Sequence, residues 1–163
     1  MRRASVFLVA AALLLALSAG VALARTIVGT SGPDVIVGTD TADFIDGKGG
    51  DDELYGLDGR DTILGRDGND TISGGRGPDR LVGGPGDDLI FGGGGNDSVN
   101  GGPGDDTIVG YDDANGPSGA DQYACGDGFD TVYVSSSDNS TLQDEENCEV
   151  VTNRPYPGET PTP

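Results

Sequence analysis

An aspartate recurs every nine residues through the middle of the chain, at Asp34, Asp43, Asp52, Asp61, Asp70, Asp79, Asp88, Asp97 and Asp106. Five residues before each stands a glycine, from Gly29 to Gly101. Two residues after each stands an aliphatic: Ile36, Ile45, Leu54, Ile63, Ile72, Leu81, Ile90, Val99 and Ile108. The frame is G-x-x-G-x-D-x-U-x, with U aliphatic. One aliphatic per nine residues is too thin a core for a free-standing unit, so a period this short and regular points to units stacked on copies of themselves. Departures are few. Thr41 replaces the fourth-position glycine of the second repeat, and the first five repeats lack the second glycine. The frame breaks at Gly110 and resumes after a six-residue insertion, 110–115. Gly116 to Ala124 then carries Gly119, Asp121 and Tyr123, and Cys125 to Tyr133 carries Gly128, Asp130 and Val132. This makes eleven repeats, nine uninterrupted and two beyond the insertion.

The segment Gly83-Gly84-Pro85-Gly86-Asp87-Asp88-Leu89-Ile90-Phe91 resembles the nonapeptide of the repeats-in-toxin, or RTX, family. The resemblance covers residues 29–133 and is specific because it is repeated rather than single. It implies an all-β fold, a parallel β-roll (a β-solenoid) with two nonapeptides per turn, and calcium held in the turns. Many RTX proteins leave the cell through an uncleaved C-terminal signal, which is not the export signal this chain carries.

The residue types make physical sense of such a roll. Glycines at positions one, two and four allow left-handed turn geometry and close backbone approach. Positions seven to nine form a short strand whose central aliphatic points inward while its neighbours point outward. With 18 residues per turn, Asp34 lies under Asp52 and Asp43 under Asp61, at a strand spacing of about 4.8 Å. Two carboxylates that close repel by about 3 kcal/mol at an effective dielectric of ~20. A hard divalent cation reverses the sign, and calcium accepts six to eight oxygens in flexible geometry. Candidate metal ligands are therefore Asp34, Asp43, Asp52, Asp61, Asp70, Asp79, Asp88, Asp97, Asp106, Asp121 and Asp130. Pairs 18 apart give seven sites, and Asp97/Asp121 and Asp106/Asp130 add two if the insertion bulges out, so about seven to nine calcium ions are expected. With so thin a core, the chain is expected to be largely disordered without calcium and to fold on binding it.

The ends differ from the middle. Arg2 and Arg3 lead into the apolar stretch Val6 to Leu17 and then Ala22-Leu23-Ala24, which reads as a secretory signal peptide over residues 1–24. A retained membrane anchor over 4–24 is the alternative. Cleavage would remove two arginines and no acid, taking the net charge from −19 to −21. So acidic a surface repels nucleic acid and anionic lipid and attracts cations. In an exported chain Cys125 and Cys148 are expected to form a disulfide, worth about 3 kcal/mol in the chain-entropy model. Cys125 stands where earlier repeats have glycine, and Cys148 precedes Glu149-Val150-Val151. Residues 25–133 are thus expected to form the roll, 134–151 a disulfide-linked cap over its open end, and 152–163 a proline-rich disordered tail.

Catalysis is not expected, because the chain has no histidine for an H-E-x-x-H site or a Ser-His-Asp triad, and the repeats begin within five residues of the expected cleavage site. The expected partners are calcium ions in an extracellular setting, with no nucleic acid and no membrane insertion after signal cleavage. A second reading is a calcium-stabilised adhesion or partner-binding module. On the sheet of odd-numbered repeats, Val37, Tyr55, Ser73, Phe91, Val109 and Tyr133 occupy position nine, with Val35 and Leu89 beside them at position seven. An exposed apolar stripe of that kind can mark a binding surface.

Overall fold

The computed structural model describes residues 24–110, 119–134, 141–142 and 148–152. The expected signal peptide, most of the insertion, much of the expected cap and nearly all of the tail lie outside these residues.

The described residues form two seven-stranded parallel sheets and no helix. Strands are numbered along the chain. One sheet stacks, in order, β1 (Thr26–Val28), β3 (Phe44–Gly49), β5 (Thr62–Asp67), β7 (Arg80–Val82), β9 (Ser98–Pro103), β11 (Gln122–Asp127) and β13 (Thr141–Leu142). The other stacks β2 (Val35–Val37), β4 (Glu53–Asp58), β6 (Thr71–Arg76), β8 (Leu89–Gly94), β10 (Thr107–Val109), β12 (Asp130–Val134) and β14 (Cys148–Thr152). The chain alternates between sheets at every repeat, so two repeats make one turn. This is the parallel β-solenoid that the period implies.

Register follows the repeat. Ile45 pairs with Ile63 and Leu54 with Ile72, 18 residues apart. Across the insertion the offset becomes 24, with Val99 beside Tyr123 and Ile108 beside Val132. Both later repeats therefore keep their place in the ladder. The position-eight side chains face one another between the sheets; Ile45, Leu54, Ile63, Ile72, Leu81, Ile90, Ile108, Tyr123 and Val132 have no exposed surface. Among the described residues the core is this double file and little else.

Three features exceed the sequence expectation. First, most strands run past position nine into the next turn, because stacked turns hydrogen-bond to each other: Gly50 N–H donates to Asp67 O at 2.9 Å and Gly59 N–H to Arg76 O at 2.8 Å. Second, β1 precedes the first recognised repeat and pairs with β3, bringing Ile27 against the core. Third, position two takes the left-handed conformation at three residues that are not glycine, with φ of 78° at Lys48, 80° at Leu57 and 83° at Arg66. Such backbone costs about 1–2 kcal/mol in a residue with a Cβ. Leu57→Gly is expected to raise stability by about 0.5–1 kcal/mol, the relieved strain less the added freedom of the unfolded chain. A higher thermal midpoint in saturating calcium would show it.

The expected open apolar stripe is corrected. Val35 and Val37 are 68% and 43% exposed, but Tyr55, Phe91 and Val109 are only 5%, 5% and 3% exposed. In-register pairing sets position-nine side chains side by side, Phe91 between Ser73 and Val109.

Candidate metal sites

Each position-six aspartate stands where a turn enters a strand, fixed by the ladder on both sides. Its carbonyl accepts the amide of the residue that opens the strand on the next turn, as Glu53 N–H to Asp34 O and Thr71 N–H to Asp52 O. Its own amide donates to the Oδ1 of the aspartate on the next turn. This link joins Asp34 to Asp52, Asp43 to Asp61, Asp52 to Asp70, Asp61 to Asp79, Asp70 to Asp88, Asp79 to Asp97 and Asp88 to Asp106, at 2.7–2.9 Å. It continues across the insertion from Asp97 to Asp121 and from Asp106 to Asp130, both at 2.8 Å. All eleven candidate aspartates thus lie in two ladders, one on each edge of the roll. Arg25, at the corresponding place before β1, donates its amide to Asp43 in the same way.

The second carboxylate oxygen is the telling one. In Asp52, Asp61, Asp70, Asp79, Asp88, Asp106 and Asp130, Oδ2 is buried and has no hydrogen-bond partner. Position-one glycine explains where it lies. A Cβ on Gly74 would sit 2.6 Å from both Asp79 Oδ2 and the carbonyl oxygen of Gly92 on the next turn. On Gly47 it would collide with Asp52 Oδ2 and lie 2.9 Å from Gly65 O. Only glycine leaves room for the carboxylate here, and the room it leaves is lined by oxygen acceptors.

A buried carboxylate oxygen without a donor costs several kcal/mol unless it takes up a proton or a cation. Burial raises Asp61 and Asp70 from the ordinary 3.8 to about 6, Asp79 and Asp106 to about 7, and Asp88 to about 8. The hydrogen bond from the previous aspartate's amide opposes this rise, and the stacked carboxylates reinforce it. Among the described residues no three acidic or cysteine side chains converge on one point. Any cation must therefore complete its shell with backbone carbonyls or water. Oxygen ligands without nitrogen or sulfur suit a hard ion, and irregular carbonyl-rich turns suit calcium better than magnesium, which demands near-ideal octahedral geometry.

Asp34, Asp43 and Asp121 depart from the pattern, because a side chain of the protein reaches their Oδ2: Thr30, Thr39 and Tyr123. In the sequence these are only a missing glycine at 30 and 39 and a tyrosine at an aliphatic position. Also missed by the repeat frame is a second, outer ladder at position five. Asp51 Oδ1 accepts the Asn69 amide, Asn69 Oδ1 the Asp87 amide, Asp87 Oδ1 the Asp105 amide and Asp105 Oδ1 the Phe129 amide, at 2.9–3.0 Å. Its signal is Asp or Asn at every second fifth position from 51 to 105.

Cys125 and Cys148 form the expected disulfide, with Cα atoms 5.9 Å apart. Cys148 opens β14 in register with Asp130, so the bond ties the last strand of its sheet to the turn beneath it.

A search of curated proteins found no match. A sequence profile described as the RTX calcium-binding nonapeptide repeat (4 copies) matches residues 26–54, 46–81 and 73–108, together just over half the chain. With the nonapeptide period, the parallel roll and the two aspartate ladders already in place, this match makes the chain a member of the RTX calcium-binding nonapeptide repeat family.

Proposed function

We propose that this is a secreted, non-catalytic protein whose roll folds by taking up several calcium ions between stacked turns. The observation that carries the reading is the series of buried, donorless Oδ2 atoms at Asp52, Asp61, Asp70, Asp79, Asp88, Asp106 and Asp130. Calcium supplies the positive charge these oxygens lack. The chain supplies the rest: position-six carboxylates as ligands, position-one glycines that keep the space open, and turn carbonyls to complete the shell. Asp97 stands in the same ladder and belongs to the same set; Asp34, Asp43 and Asp121 also stand in the ladders, but their Oδ2 atoms are met by Thr30, Thr39 and Tyr123.

Secretion rests on the sequence of residues 1–24, on the family's usual setting and on the disulfide, which persists in oxidising compartments. Residues 134–151 act as a cap: β14 lies on the last turn, and a solenoid needs its exposed end covered.

Metal removal tests the reading. In saturating calcium the chain is expected to give a strand-rich circular dichroism spectrum, and excess chelator should convert it to that of a disordered chain, reversibly. A strand spectrum that survives chelation unchanged would contradict calcium-coupled folding.

A further inference from the structure

At three of the four ladder ends the donorless oxygens stop short, and the sequence changes where they stop; Asp130, the last rung of the fourth, keeps a donorless Oδ2. Asp34 opens one edge and Asp43 the other. Asp34 Oδ2 receives the Thr30 amide at 2.6 Å and the Thr30 hydroxyl at 3.0 Å. Asp43 Oδ2 receives the Thr39 amide at 2.6 Å and the Thr39 hydroxyl at 2.9 Å. In interior turns the position-two amide is used otherwise: Arg66 donates to Gly83 O and Gly84 to Gly101 O, along the ladder. The difference is conformational. Interior position-two residues, from Lys48 onward, take positive φ, whereas Thr30 and Thr39 do not. A β-branched residue strongly disfavours that region. Threonine therefore turns its amide and hydroxyl together onto the carboxylate of its own repeat.

At the far end of the second edge a different side chain has the same effect. Tyr123 occupies the inward position that is aliphatic in the other repeats, and it has no exposed surface. Its hydroxyl donates to Asp121 Oδ2 at 2.8 Å.

We infer that Thr30, Thr39 and Tyr123 are built-in closures of the carboxylate ladders, donating to Asp34, Asp43 and Asp121 where an interior rung takes a cation. This rests on the calcium reading of the donorless rungs and adds to it a limit: at Asp34, Asp43 and Asp121 the chain itself supplies the donor, so metal demand falls on the interior rungs and on Asp130. The benefit is physical. A terminal turn has no full neighbour to share ligands with, so a cation there would be poorly enclosed, whereas a hydroxyl or amide donor needs no second turn.

The test compares the full chain with Thr30→Gly/Thr39→Gly, Thr30→Ser/Thr39→Ser and Tyr123→Phe, with bound calcium counted by equilibrium dialysis at saturation. The glycine pair restores the interior residue type and frees both carboxylates. It is expected to bind about two more calcium ions per chain than the wild type, while the serine pair, which keeps amide and hydroxyl, binds the same number. Tyr123→Phe preserves the packing and removes the only change of interest. At a fixed calcium level it should lower the folded-to-unfolded ratio about tenfold or more, read by circular dichroism. Wild-type binding with an unchanged count in the glycine pair and an unchanged folding ratio in Tyr123→Phe would overturn the closures alone. A wild-type chain that binds no calcium would overturn the calcium reading, and the closures with it.

Discussion

Gly83→Ala should abolish or severely weaken the roll, lowering stability by at least about 3 kcal/mol, whereas Gly32→Ala should change it by no more than about 0.5 kcal/mol. The two glycines look alike in the sequence. The added Cβ at Gly83 would collide with Asp88 Oδ2 and stand 2.5 Å from Gly101 O, both held by the ladder, while at Gly32 it would meet nothing within 4 Å. Neither glycine has a left-handed φ, so the contrast isolates space from backbone strain. The Gly83 change also displaces a proposed calcium ligand, so its effect should appear both as a lower thermal midpoint in saturating calcium and as fewer ions bound. Equal midpoints for the two variants would contradict the close fit between glycine and carboxylate.

Protons should partly replace calcium. The interior carboxylates are raised, chiefly by burial, from 3.8 to about 6 at Asp61 and Asp70, about 7 at Asp79 and Asp106 and about 8 at Asp88. A group whose folded value lies above its unfolded value favours folding where it is protonated. That contribution is complete below about 4 and is lost as pH rises through about 6 to 8. In calcium-stripped buffer, strand signal is therefore expected to grow on acidification and to vanish by mildly alkaline pH. With calcium present the dependence reverses, since protons compete for the same oxygens and the affinity falls as pH drops through that window. A metal-free chain that is equally disordered at pH 5 and pH 8 would contradict this.

The fold was legible because one period sets everything at once. A nine-residue repeat with an aliphatic at position eight fixes the two-sheet alternation, the 18-residue register and the file of Ile, Leu and Val between the sheets. Even the insertion was readable, since Asp121 and Asp130 resume the frame after 115 and pair with Asp97 and Asp106. What escaped the sequence depends on a conformation or a reach that composition does not encode. At Thr30 and Thr39 the sequence shows only an absent glycine, while the turn of their amides onto Asp34 and Asp43 is a matter of backbone conformation. Tyr123 looked like a large core residue, and its hydroxyl contact depends on the length of the ring. The burial of Tyr55 and Phe91 departs from the alternation rule, which assigns a side chain to a face and not a degree of exposure.

Isothermal titration of calcium into the metal-free chain at neutral pH tests the central claim most directly. Several equivalents per chain are expected, taken up cooperatively, with a strongly negative heat-capacity change because burying the aliphatic file accompanies binding. No heat of binding, or a single equivalent taken up by a chain already folded, would contradict it.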